Sequence, residues 1–248
     1  MTKADGLTCS LKYINGKLIS AETRGDGLIG EDILHNALVL QSIPNRIAYT
    51  EELIIDGEIV CLYSDFIKFE NEYKNPRNFA AGSIRLLDSK ECANRKLTFV
   101  AWDIIKGFDN CNTFTHKMLN LKDLGFIIVP MVSINPEGIN EDVVDCIKNF
   151  SKDIGIPIDG IVFKYENIKY GLAQGATAHH FKNAIAYKFY DETYPSHLKD
   201  IDWGMSRSGK LTPVAIFDPV EIDGSIVERA SLHNVDILKE LLYKPWFG

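Results

Sequence analysis

Apolar and polar positions make the first third of the chain read as strands and tight turns. Leu7 to Tyr13 alternates loosely, and Asn15-Gly16 after it suits a type I′ turn, whose two central positions both need φ > 0. Lys17 to Glu22 is then the returning strand of a hairpin. Ile54 to Leu62 predicts another strand, broken at Asp56-Gly57-Glu58, and Leu97 to Ile105 an apolar strand of the buried type. Helical spacing predicts helices over Ser64 to Tyr73, with Ser64 as N-cap and Phe66, Ile67 and Phe69 on one side, and over Thr115 to Leu124 and Asn140 to Phe150. Asp159 to Lys164 and Ala184 to Phe189 are two short strands, each with one lysine inside an apolar run.

Beyond about residue 198 the texture changes to short strands and turns: Leu211 to Phe217, Val220 to Ile222, Asp223-Gly224 and Ile226 to Ala230. A boundary near Leu198 is therefore expected, with a small all-β domain after it. The remaining residues are fewer than a closed five-stranded barrel usually takes. Composition changes this picture little. The 248 residues are 46% hydrophobic and 25% charged, ordinary globular usage with enough chain for one sizeable core or two modest ones. No apolar run approaches the ~18 residues of a membrane-spanning helix, and the N-terminus has no secretory apolar region. The five cysteines are scattered, without a C-x-x-C pair, so free thiols in a reducing cytosol are expected rather than disulfides or a zinc site. A net charge of −7 argues against a chain coated by nucleic acid but leaves room for one local basic groove.

The candidate chemistry lies in a few polar residues. Arg24 to Asp32 holds three glycines in six positions, a loop that bends tightly or approaches a ligand. Lys3, ahead of Asp5-Gly6, reads on its own as a surface residue on a turn. Lys164 and Lys188, however, interrupt strands whose other residues favour burial, and a buried ammonium is costly without an anion. With Lys3 and Glu58 they point to one polar site for a phosphate-bearing ligand. A lysine attacks only when neutral, a form made rare by its ordinary pKa of ~10.4 and favoured by nearby cations and desolvation. Displacement at phosphorus also needs charge neutralisation, for which Glu58 and Asp5 are hard oxygen donors to a divalent metal. His179-His180 lacks a partner at metal-ligand spacing and reads as a loop pair. Arg85, Lys90, Arg95 and Lys96 read either as a solvated face or as a strip facing DNA.

In register, these segments resemble the nucleotidyltransferase (adenylation) domain of bacterial-type NAD-dependent DNA ligases, from Lys3 to about Asn234. The resemblance rests on Lys3-Ala4-Asp5-Gly6, Thr23-Arg24-Gly25-Asp26-Gly27 with Gly30-Glu31-Asp32, Gly57-Glu58, the run Asn75 to Asp88, Asp159 to Lys164, and Ala186-Tyr187-Lys188-Phe189. Arg207 to Ala215 and Ala230 to Asn234 resemble the opening of that family's OB-fold. The implied fold is α+β: an ATP-grasp-like nucleotidyltransferase domain of mixed, mainly antiparallel sheets over 1–198, followed by an incomplete OB-fold over 199–248.

The resemblance also implies roles. Lys3 would attack the α-phosphorus of NAD and carry AMP as a phosphoramidate before AMP passes to the 5′-phosphate of a nick. Lys164 and Lys188 would hold the AMP phosphate, Glu58 the ribose and a Mg2+ or Mn2+ ion, and Trp102 would stack on adenine. Asp5, Gly6 and Arg24 belong to the implied nucleotide site, and Arg77, Arg85 and Arg207 to the nick phosphates, which the forked guanidinium suits. The implied partner is nicked double-stranded DNA, bound by a monomer with no zinc site and no membrane association, in a bacterial cytosol or at a viral replication site.

The sequence departs from the family in several places. Asp56 stands where the family has an arginine, as in ATP-dependent ligases and capping enzymes. Ser151 stands where it has another, with Lys152 beside it. The stretch between the Ser64 helix and Asn75 is shorter than usual. Only two residues precede Lys3, so the chain is expected to be a truncated piece impaired in the NAD step. Two other readings stay open: an ATP-using polynucleotide ligase or capping-type nucleotidyltransferase, and an inert module that binds nicks or AMP.

Overall fold

The computed structural model describes residues 1–23, 30–176, 182–189, 194–205, 209, 211–222, 225–236 and 238–239. The chain divides into two units, Met1–Phe189 and Tyr190–Gly248.

Among the described residues the first unit holds two sheets, and every pairing between their strands is antiparallel. Strand β1 (Thr2–Ala4) belongs to the second of them. The first sheet is built from β2 (Leu7–Ile14), β3 (Lys17–Thr23), β4 (Leu53–Val60) and β5 (Thr98–Lys106), in the order β3-β2-β4-β5. The β2–β3 hairpin turns at Asn15 (φ 49°) and Gly16 (φ 71°), the left-handed pair a type I′ turn requires. Burial alternates over Cys9 to Tyr13 of β2 and Leu53 to Ile59 of β4. Cys9, Leu11 and Tyr13, with Leu53, Ile55 and Ile59, are buried in the main core, while Thr8, Ser10, Asp56 and Glu58 take the other face.

This alternation corrects the expected break in the fourth strand. Asp56-Gly57-Glu58 lies inside continuous β4; the polar pair occupies the outward positions, and only the register against β5 shifts between Asp56 and Gly57. Gly57 is required because a Cβ there would stand 2.3 Å from the Phe99 ring.

Helices flank the sheets: α1 (Leu34–Ala37), α2 (Tyr63–Phe66), α3 (Pro76–Ser83), α4 (Ser89–Asn94), α5 (Phe114–Asp123), α6 (Glu141–Asp153) and α7 (Ile168–Ala173). Asn75, Thr113 and Asn140 cap α3, α5 and α6 by accepting backbone N–H bonds. The helix expected over Ser64 to Tyr73 is a single turn, entered from Leu62 without a side-chain cap. Phe69 and Tyr73 follow it in turns and pack on Phe79, at 4.4 and 5.1 Å between ring centroids. Their spacing reflects that aromatic cluster rather than a helix face.

The second sheet orders β1, β6 (Ile158–Lys164) and β7 (Ala184–Lys188) as β1-β6-β7. Lys3 therefore sits in a strand, not on an exposed turn. All five residues of β7 are exposed, against the expectation that its apolar run is buried. It is an edge strand, and α6 packs on β1 and β6 instead.

The second unit contains β8 (Leu198–Met205), β9 (Leu211–Ile222) and β10 (Ser225–Ser231) in the order β10-β9-β8. The two expected strands at 211–217 and 220–222 are one. Pro219 lacks an N–H and interrupts the ladder locally, where the β9–β10 register shifts, without ending the strand. Asp223-Gly224 lies outside the described residues.

Candidate active site

One face of each sheet in the first unit contributes to a cavity of about 780 Å³. The register explains who reaches it. In β6 every second residue, Gly160, Val162 and Lys164, pairs with Lys188, Ala186 and Ala184 of β7, while Lys3 pairs with Gly160 from the other side. Lys3 and Lys188 thus flank a glycine. A Cβ on Gly160 would lie 2.5 Å from the Tyr187 carbonyl oxygen, so no other residue fits there without displacing β7. The small residues beside Val162 leave the cavity open. From the first sheet, Thr8 lies opposite Glu58 and Ser10 opposite Asp56, and all four line the cavity with Trp102 and Asp103.

Each cation in this row meets an aspartate. The β1–β6 register slips between Lys3 and Ala4, making Asp159 the extra residue of a bulge, a device that re-aims a side chain. The Lys3 Nζ donates to both Asp159 carboxylate oxygens, at 2.7 and 2.6 Å, and the Lys188 Nζ lies 3.7 Å from Oδ2. The Lys164 Nζ donates to Asp103 Oδ2 at 2.6 Å. Arg77, in the first turn of α3, donates to Asp5 Oδ1 at 3.0 Å.

Among the described residues no cation contacts Glu58 in this way. Burial pushes its carboxyl up to about 7, opposed by hydrogen bonds from Thr8 and Trp102 and by the more distant charges of Lys3 and Arg77. Burial likewise raises Asp5 above the ordinary carboxylate range, with Arg77 pulling the other way. Trp102 is half-buried, one part packed on the small cluster of Ala4, Val60, Val100, Val129 and Ile156 and another facing the cavity.

The expected residues are thus only partly brought together. Lys3, Asp5, Glu58, Arg77, Trp102 and Lys164 line the cavity. Lys188 does not line it; it lies 3.7 Å from Asp159, the carboxylate that Lys3 also contacts. Gly6 does not line it: a Cβ there would lie 2.2 Å from the Ile59 carbonyl oxygen, so that glycine serves the β2–β4 contact. Arg85 is exposed and donates to Glu31 Oε2 at 2.5 Å. Ser151 is buried in α6, its hydroxyl donating to the Ile147 carbonyl, and Lys152 is exposed; neither lines the cavity. Arg24, Arg207 and His179-His180 lie outside the described residues.

Sequence reasoning missed Asp159, Asp103 and Thr8. The first two were signalled indirectly, since a lysine in an apolar strand implies an anion. No pattern within the strand says which anion.

Among the described residues, no three His, Cys, Asp or Glu side chains converge as a metal site. Glu58, raised to about 7, is a weak ligand as it stands. These residues do not fit a preformed divalent-cation site.

A lysine amine beside further cations, at the wall of a cavity of this size, suits a ligand that carries phosphate. Residues 1–192 match the NAD-dependent DNA ligase adenylation domain, and residues 195–244 match the NAD-dependent DNA ligase OB-fold domain. The chain belongs to the NAD-dependent DNA ligase family. A DNA ligase of Ruminiclostridium cellulolyticum is 41% identical over 96% of this chain, and one of Lachnoclostridium phytofermentans is 40% identical over 96%. The chain spans 38% of the length of each. The α+β adenylation domain followed by an OB-fold domain is therefore the architecture of the chain. Among the described residues no helix is long and apolar enough to cross a membrane.

Proposed function

We propose that this chain is the adenylation core and OB-fold of an NAD-dependent DNA ligase that seals 5′-phosphate/3′-hydroxyl nicks in duplex DNA. One observation carries the reading: the Lys3 amine, held on Asp159, opens into the cavity that Lys164, Glu58 and Trp102 also line.

In the first step the neutral Lys3 amine attacks the α-phosphorus of NAD. A nitrogen–phosphorus bond forms as the bond to the bridging oxygen breaks, and nicotinamide mononucleotide leaves with the electron pair. The proton lost by Nζ has the Asp159 carboxylate as its nearest acceptor. Lys164 binds the phosphate being attacked, joined by Lys188, and their positive charge offsets the negative charge that accumulates on its oxygens. Glu58 accepts from the ribose hydroxyls and Trp102 stacks on adenine. The 5′-phosphate of the nick then displaces Lys3 from AMP, and the 3′-hydroxyl displaces AMP from the DNA. Arg77, Arg85 and Arg207 bind nick phosphates, positioning the duplex without reading its bases. Asp5 holds Arg77 in place.

A nicked duplex already carrying 5′-adenylate tests this reading without NAD. With a 3′-hydroxyl present, the chain should seal the nick. With a 3′-dideoxy end, which blocks sealing, the adenylyl group should move back to the protein and map to Lys3. No sealing and no adenylylated peptide, or AMP on Lys164 or Lys188 with Lys3 unmodified, would overturn it.

A further inference from the structure

Lys164 is fixed more tightly than the other cations of the site. Its side chain is 12% exposed, against 33% for Lys3 and 59% for Lys188. Two contacts hold it. On one side Nζ donates to Asp103 on β5; on the other it sits over the Phe114 ring, 4.2 Å from the centroid. An ammonium held by a carboxylate and by the face of an aromatic ring, with most water excluded, keeps its remaining N–H bonds for the cavity.

Phe114 is the first residue of α5, and the chain just past Lys164 fastens it there. The Phe114 N–H donates to the Glu166 carbonyl at 2.8 Å. The Glu166 carboxylate accepts from the Thr115 N–H at 3.2 Å and from the Thr115 hydroxyl at 2.9 Å. Thr113 bridges to Asn167. The chain that leaves Lys164 thus returns, within two residues, to pin the ring beneath it.

We propose that Asp103 and Phe114 are positioning residues that aim the Lys164 ammonium at the nucleotide phosphate, with Glu166 and Thr115 setting the ring in place. The inference rests on the adenylate reading above and adds how its phosphate lysine is aimed. A free lysine has several rotatable bonds to order on binding; one already held in its cradle has little left to lose. Asp103 has a second consequence. Paired with Lys164 it is neutralised, but with that lysine removed it would be a bare carboxylate facing the incoming phosphate.

The test is AMP binding to the full chain, measured by titration calorimetry in a mutant cycle. Phe114→Leu keeps an apolar group but no π face and should weaken AMP roughly tenfold. Phe114→Tyr, which restores the face, should return to within about threefold of wild type. Combined with Lys164→Ala, Phe114→Leu should cost nothing further. Asp103→Asn should weaken AMP in the wild-type background and strengthen it beside Lys164→Ala. Equal losses for the Leu and Tyr variants, additivity of Phe114→Leu with Lys164→Ala, or unchanged affinity in Phe114→Leu would overturn the cradle while leaving the adenylate site standing. A wild-type chain that does not bind AMP would overturn both.

Discussion

Replacing Glu58 by glutamine should make the ligand-free protein more stable at neutral pH, although it removes a group assigned to the ribose. The carboxyl lies in the cavity wall with its pKa raised by burial from 4.5 to about 7. A group with a raised folded-state pKa contributes its stability below the unfolded value and loses it as pH climbs through the folded one. Here the carboxyl is comfortable when protonated, so the cost of ionising it in place accrues from about pH 4.5 and levels off above pH 7. Linkage gives about 2 kcal/mol at pH 6 and about 3 kcal/mol at pH 7 to 8, as orders of magnitude. Glutamine never ionises and still accepts from the Thr8 hydroxyl, now 3.3 Å from Oε2 of the glutamate.

The two proteins should therefore melt together at pH 4 and diverge as pH rises. At roughly 2–4 °C per kcal/mol for a chain of this size, Glu58→Gln should melt about 6–12 °C higher at pH 7.5. Differential scanning calorimetry across pH 4 to 8 measures this directly. Parallel melting curves, or a gap that is widest at low pH, would refute the burial argument. Ligand supplies a second check: if the ribose hydroxyls donate to the ionised carboxylate, saturating AMP should narrow the gap, because it stabilises the wild type more.

Two further outcomes follow from the same geometry. Base–aromatic stacking is worth roughly 1–3 kcal/mol, so Trp102→Ala should weaken AMP by about one to two decades and Trp102→Tyr much less; equal calorimetric affinity for wild type and Trp102→Ala would return Trp102 to a purely packing role. Gly160→Ala places a methyl 2.5 Å from the Tyr187 carbonyl oxygen and should destabilise the fold by about 1–3 kcal/mol, read as a lower denaturation midpoint; an unchanged midpoint would mean that β7 moves aside freely.

Much of this was legible in the sequence where the physics is local. Asn15-Gly16 specifies its own hairpin, and the periodic runs from Thr115 and Asn140 specify two helices, because those interactions span a few residues. Loose alternation, the hairpin turn and apolar runs together also identified the strands of the first sheet. The failures share one cause. Asp56-Gly57-Glu58 looked like a break because the outward face of β4 is polar, and only the cavity beyond it explains that polarity. The run from Phe66 to Tyr73 looked helical because its aromatics gather round Phe79, which comes from another helix. β7 looked buried because its residues are apolar, but edge position overrides composition. In each case the deciding partner is distant along the chain.

The same limit shaped the reading of the lysines, with a consequence for binding. Lys164 and Lys188 implied an anion, and a bound phosphate was the natural candidate. The fold instead supplies anions of its own: Asp159 for Lys3 and Lys188, Asp103 for Lys164, and Asp5 for Arg77. A half-buried cation left unpaired would cost several kcal/mol, so the site must be close to neutral for an acidic chain to fold around it. An entering phosphate therefore meets cations that already have partners and must draw on their remaining donors or displace the aspartates. The two routes differ by lysine. Lys188 is exposed and its 3.7 Å contact with Asp159 is loose, so it can turn to a ligand at little cost. Lys164 is held at 2.6 Å and packed against a ring, so it serves by staying where it is. Lys3 lies between these cases. In the proposed reaction its amine attacks only after giving up a proton, and the carboxylate that the β6 bulge has turned toward it is the nearest acceptor.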